Sequence, residues 1–148
     1  FVDGEKVWII EMGGRTGATC IPELISTHYG FDFYEQMIKS ALGEETDFQQ
    51  TESCPCMAKL LLSPVSGTIT QIDRDQVGRL RQEGLELVLD YPEGHEVSAM
   101  ADGTDRIGHV IVKTDREAEL DEQMKRVYRC IWIDGKNLET IWEEKTAK

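Results

Sequence analysis

At 148 residues, 40% of them hydrophobic, the chain is long enough for one domain or two small ones and can bury a core. Sixteen Lys+Arg against 28 Asp+Glu leave a net charge of −12, which repels phosphate backbones and anionic membranes and argues against nucleic acid or a membrane surface as partner. No run approaches the roughly 20 apolar residues of a spanning helix, and nothing reads as a signal peptide or anchor.

The chain opens on Phe1 and "VDGEKVWII", a hairpin pattern with Asp3-Gly4 as the turn. That hairpin lacks most of its first strand, so the expectation is a piece of something longer. A strand running through Val7 to Ile10 then delivers Glu11 into a glycine-rich turn, "EMGGRTGATC". Pro22 suits a first helical turn and starts "PELISTHYG", which Gly30 ends. "FDFYEQMIKSALG" follows, with Asp32 as cap, Phe33, Met37, Ile38 and Leu42 at helical spacing, and Gly43 as the stop. Both helices are expected to pack on a sheet.

Residues 44–55, "EETDFQQTESCP", are polar and unpatterned and read as a linker. Residues 1–43 hold 6 acids and 3 bases, the remainder 22 acids and 13 bases, so the less acidic part is the one with Arg15. Beyond the linker come short strand patterns in "CMAKLLLS", "GTITQID", "GLELVLDY", "EVSAM" and "DRIGHVIVK", with turns at Pro64–Gly67, Pro92–Gly94 and Asp102-Gly103. "DREAELDEQMKRVYRCIWI" predicts a helix over 115–129, with Asp115 as cap and Leu120, Met124, Val127 and Ile131 on one face. "NLETIWEEK" predicts a short final helix. The expected architecture is α+β: a sheet end with two helices in 1–43, then a small antiparallel β-sheet or barrel-like domain in 56–148 with one packed helix.

Glu11, at a strand end, can project beyond a sheet edge, where an ionised acid is hydrated or bound to a cation. Gly13, Gly14 and Gly17 supply a backbone that tolerates positive φ and close approach, and Arg15 supplies a fork suited to carboxylate or phosphate oxygens. Together they suggest a metal–phosphate site. Taken singly, the same residues also fit a solvated acid and a surface salt bridge.

The 4 cysteines, at 20, 54, 56 and 130, form no C-x-x-C pair and the 3 histidines, at 28, 95 and 109, stand apart. That spacing does not fit a zinc site, and reduced thiols in a cytoplasm are the expectation. Cys54-Pro-Cys56 reads as linker, because one proline spacer makes a strain-free disulfide difficult. Cys20 reads as a small buried residue, against a helix start that lowers its pKa. His28 and Tyr29 read as a packed helix end, and His109, alternating with Ile107, Val110 and Val112, as a satisfied strand histidine.

The segment "VWIIEMGGRTGATCIPELISTHYGFDFYEQMIKSALGE" resembles the last part of an ATP-grasp domain. In that family a strand ends in Glu, an Arg follows four residues later, and a "G-x-x-x-x-P-E-L" helix start and a "YG-x-D-x-Y" helix come next. The rest, from "SPVSGTITQI" through the "R-x-G-x-V" hairpin to the helix after it, resembles the small C-terminal domain that follows the ATP-grasp fold in biotin carboxylase and purine-pathway ligases. The resemblance implies that Glu11 binds magnesium (or manganese) on ATP phosphates, that Gly13 and Gly14 line the nucleotide, and that Arg15 is catalytic, holding the acyl phosphate or substrate carboxylate. Gly13 stands where many members have an Asn that ligates the second metal, which bears on metal coordination. Most of the ATP site would precede Phe1.

The implied activity is an ATP-dependent carboxylate–amine ligase working through an acyl phosphate, with small-molecule acid and amine substrates and homodimerisation left open. The alternatives are a biotin-carboxylase-like or carbamoyl-phosphate-synthase-like fragment that activates bicarbonate, and a non-catalytic interaction domain. On its own the chain is expected to be inactive.

Overall fold

The computed structural model describes residues 1–11, 14, 16–51 and 53–147. A hairpin of β1 (Val2–Asp3) and β2 (Lys6–Val7) comes first, its two-residue turn centred on Gly4 and Glu5, one position later than expected. Gly4 takes φ 60, the left-handed backbone that such a turn requires. Helices α1 (Ile21–Tyr29) and α2 (Phe33–Leu42) follow.

The helix signals in this part act as predicted. Pro22 occupies the first turn of α1, Gly30 closes it at φ 72, Asp32 accepts from the Glu35 N–H at 2.9 Å, and Gly43 closes α2 at φ 73. Only α1 lies against the sheet, while α2 packs on α1. Ile38 and Leu42, on the expected packing face of α2, are exposed.

Residues 44–55 run back along the two helices. Phe48 meets the rings of Phe31 and Phe33, the Asp47 N–H donates to Gln36 Oε1, and Thr51 Oγ1 donates to the Gly30 carbonyl at 2.6 Å. His28 Nδ1 bonds the Cys54 carbonyl at 2.6 Å, and the Cys54 and Cys56 thiols donate to the Thr27 and Leu24 carbonyls. Both cysteines are free.

The remaining strands are β3 (Cys56–Leu61), β4 (Gly67–Ile72), β5 (Glu86–Leu89), β6 (Glu96–Val97), β7 (Gly108–Lys113), β8 (Ile131–Ile133) and β9 (Lys136–Asn137). They form two antiparallel sheets, ordered β3-β7-β5 and β6-β4-β8-β9. Helices α3 (Arg74–Gln82), α4 (Leu120–Tyr128) and α5 (Leu138–Thr146) complete the chain. Along β7 the side chains alternate: Val110 and Val112 enter a core with Leu61, Ile69, Leu80 and Ile131, whereas Ile111 is buried on the α1 side. Each such aliphatic side chain contributes about 1.5–3 kcal/mol on full burial. The expected α+β architecture, two helices followed by small antiparallel sheets, is the one observed.

Three local expectations give way. α4 starts at Leu120 after a 3₁₀ turn at Glu117–Glu119, so Asp115 caps nothing. It stops at Tyr128, and Ile131, expected on its face, sits in β8 opposite Ile72 of β4. The open edge of β4 supplies ladder hydrogen bonds there, and the Asp134-Gly135 turn, with φ 47 and 81, folds β9 back on β8. Helix α3 has no counterpart among the predicted elements.

Candidate functional site

The hairpin ends where Trp8 and Phe1 exchange backbone hydrogen bonds of 2.8 and 2.9 Å. Beyond it Ile9 and Ile10 continue without a ladder partner among the described residues, each 81% exposed. Glu11 is therefore exposed on an irregular segment and not at the end of a strand, a correction to the sequence expectation. A strand is defined by its neighbour, and the pairing described runs as far as Phe1 opposite Trp8. Gly14 is exposed too, with nothing within 4 Å of where a Cβ would stand. Gly13 and Arg15 lie outside the described residues.

The turn meets α1 through a tight approach. A Cβ on Gly17 would come to 3.0 Å from Ile21 Cγ1, so a larger residue there would make the Ile21 side chain shift by a few tenths of an ångström. Gly17 does not take the left-handed backbone that glycine tolerates. Thr19 and Cys20 take it instead, at φ 66 and 61, at a cost of roughly 1–2 kcal/mol per residue. Such strain clusters where a backbone must be held in one shape.

Behind the turn, Glu23 in the first turn of α1 accepts from the Tyr34 hydroxyl at 2.7 Å, while its Oε2 is buried and has no partner among the described residues. Ser26 Oγ donates to the Pro22 carbonyl and accepts from the Phe33 N–H, both at 3.0 Å. These bonds give the "PEL" and "YGFDFY" segments a structural reason. They fix α2 against α1, and with it the start of α1 that carries the turn. Burial, then the charges of Glu23 and Glu86, raise the Cys20 thiol pKa, and Arg106 opposes them. Cys20 is half-buried, short of the buried residue expected, and its thiol pKa is raised and not lowered at the helix start.

Glu23, Ser26, Thr27, Asp32, Tyr34 and Glu86 border an open cleft of about 470 Å³. Its three carboxylates, none held in an ion pair among the described residues, suit a cationic or amine-bearing group better than an acid. Neither Glu23, Tyr34 nor Glu86 was singled out from the sequence; the available signal was that "PEL" and the tyrosine of "YG-x-D-x-Y" stand 11 residues apart. His109 lies in β7 as expected, between Leu60 and Val88, but its Nδ1 is buried without a partner among the described residues and so is not satisfied.

No group of three or more His, Cys, Asp or Glu side chains arranged to hold a metal occurs among the described residues, and no described helix is long and apolar enough to cross a membrane. Magnesium takes six oxygens. Glu11 offers one exposed carboxylate and belongs to no group of three or more such donors among the described residues, so these residues do not by themselves fit a magnesium site.

The model of the L-amino acid ligase C-terminal domain 2 matches residues 59–134. The uncharacterized protein y4rH of Sinorhizobium fredii (strain NBRC 101917 / NGR234) is 24% identical over 123 residues, covering 83% of this chain and 26% of that protein. Among solved structures, phosphoribosylglycinamide synthetase from Anaerococcus prevotii superposes with a TM-score of 0.72 at 23% identity, over 91% of this chain and 35% of its own. N5-carboxyaminoimidazole ribonucleotide synthetase from Thermotoga maritima matches at a TM-score of 0.47 and 16% identity, over 76% of this chain and 29% of its own. The chain thus spans about a quarter to a third of the proteins it resembles.

Proposed function

The chain belongs to the L-amino acid ligase family through its C-terminal domain 2, and on that premise we propose that it is part of an ATP-grasp ligase that activates a carboxylate as an acyl phosphate and passes it to an amine. The carrying observation is the family match over 59–134, joined to the "PEL" and "YG-x-D-x-Y" segments whose hydrogen bonds tie α2 to α1. In this reading Arg15 would hold the acyl phosphate or substrate carboxylate, Glu11 would be one of the oxygen donors to a magnesium bound with ATP, and Gly13 and Gly14 would leave the backbone open to the phosphates. Magnesium and ATP supply charge neutralisation and the phosphoryl group. Their remaining contacts come from outside the described residues.

The acidic cleft beside the turn favours the amine as the substrate that docks there, by charge complementarity with Glu23 and Glu86. The match to an amino acid ligase domain favours amino acids over bicarbonate as the activated acid. The full-length protein, incubated with ATP, magnesium and pairs of L-amino acids, should release phosphate only when an amino acid is present and yield a product of dipeptide mass. ATP hydrolysis that requires bicarbonate and ignores amino acids would replace this reading with the carboxylase one.

A further inference from the structure

The arginines of α3 stand apart from the others. Arg106, Arg116, Arg126 and Arg129 are each held by a carboxylate. Arg81 instead donates from Nε and Nη2 to the Leu87 carbonyl at 3.0 and 2.7 Å, capping the outer edge of β5 without neutralising its charge. The Arg74 and Arg79 side chains have no hydrogen bond or ion pair with another described residue. In a chain of net charge −12, one helix keeps three uncompensated guanidinium groups.

Two of them share a groove. Arg74, Gly78 and Arg81, at i, i+4 and i+7, lie along one face of α3 and line a cavity of about 380 Å³. Gly78 leaves open space between the two cations, since a Cβ there would meet nothing within 4 Å. The apolar lining comes from Ile72, Val77 and Leu89, and Tyr91, stacked on His95 at 3.7 Å between ring centroids, forms a fixed wall. Asp90 is the one acid among the lining residues, and Arg106 already engages it at 2.8 Å. None of these residues borders the cleft next to the glycine turn.

We propose that this groove binds a small organic oxyanion, a carboxylate or phosphate on a flat or apolar body, with the Arg74 and Arg81 guanidinium groups taking the oxyanion and Ile72, Val77 and Leu89 taking the body. A guanidinium matches either anion through paired N–H donors. Arg81 is oriented in advance by its two bonds to Leu87, so little freedom is lost when an anion arrives. The site is independent of the ligase reading.

The test is ¹H–¹⁵N NMR of the 148-residue chain at low salt, titrated separately with phenyl phosphate, benzoate and inorganic phosphate. Saturable shifts confined to residues 72–82 and 87–92 are expected with phenyl phosphate, benzoate or both, and which of them binds tighter identifies the anion. Arg74 is exposed and unbonded, so Arg74→Ala should fold normally and weaken binding at least about fivefold. Arg79→Ala removes the same charge outside the groove and should change binding less than about twofold. Shifts that do not saturate or spread over the surface, equal weakening by both variants, or inorganic phosphate binding as tightly as the aromatic probes would each overturn the proposal.

Discussion

Gly108, the glycine of the "R-x-G-x-V" hairpin, gives the sharpest test of the packing. It opens the central strand β7 and pairs with Leu61 on one side and Leu89 on the other. A Cβ there would fall inside the contact distance of the Val88 carbonyl oxygen and stand 3.0 Å from Leu89 Cα and 3.1 Å from the Val88 carbonyl carbon. Ordinary carbon–carbon contacts are about 3.5–4.0 Å, so β5 must retreat by ~0.5–1 Å, and the atoms in the way are backbone that cannot rotate aside. Overpacking of this kind costs about 1–3 kcal/mol, and stretching one or two ladder hydrogen bonds adds about 1 kcal/mol each. Gly108→Ala should therefore destabilise the chain by about 3 kcal/mol, which for a domain of this size lowers Tm by about 6–12 °C. Thermal unfolding followed by circular dichroism measures it. A decrease under about 2 °C would mean that β5 and β7 are not held at the described spacing.

Burial raises the Cys130 thiol pKa to about 11 from 9.0. Because the folded value is the higher one, its stabilisation is complete below pH 9.0 and is lost as pH rises towards 11; urea unfolding across that window should fall more steeply in wild type than in Cys130→Ala, and parallel curves would contradict the assignment. The Arg126 hydrogen bond holds the Glu83 carboxyl below its ordinary pKa, so this pair stabilises above the unfolded carboxylate pKa and fades as pH falls below about 5. The stability gap between wild type and Arg126→Gln should shrink on acidification, and a gap that widens would refute the pairing. Calorimetry of the isolated chain with magnesium and ATP should show no tight binding, because no group of three or more metal-ligating side chains occurs among the described residues; a submicromolar Kd would show that the donors lie within the chain after all.

What could be read from the sequence was what local chemistry decides. Pro22, Gly30, Asp32 and Gly43 set the bounds of α1 and α2 through backbone preferences that need no tertiary partner. Helix α3 escaped because it buries only Val77 and Leu80 among polar residues, too few to show a period, although Asp73 carries a capping signal confirmed by its 2.9 Å bond to the Gln76 N–H. Ile131 misled because it falls at helical spacing from Val127 and Met124, while the competing Asp134-Gly135 hairpin signal in "IWIDGK" decides the outcome once β4 offers an edge. At the site, Glu11 was read as a strand end from its apolar approach, but a strand needs a neighbour that periodicity does not report. The Tyr34–Glu23 bond joins two helices and was legible only as an unexplained family spacing.

The central claim is that Glu11 and Arg15 serve acyl phosphate formation, and oxygen transfer tests it most directly. The full-length protein, given ATP, magnesium, an amine and an amino acid labelled with ¹⁸O in its carboxylate, should place one ¹⁸O in the phosphate released per product formed. Glu11→Gln and Arg15→Ala should abolish or greatly slow that transfer with ATP saturating and the fold intact. Unlabelled phosphate from the wild type, or undiminished transfer in both variants, would contradict the account.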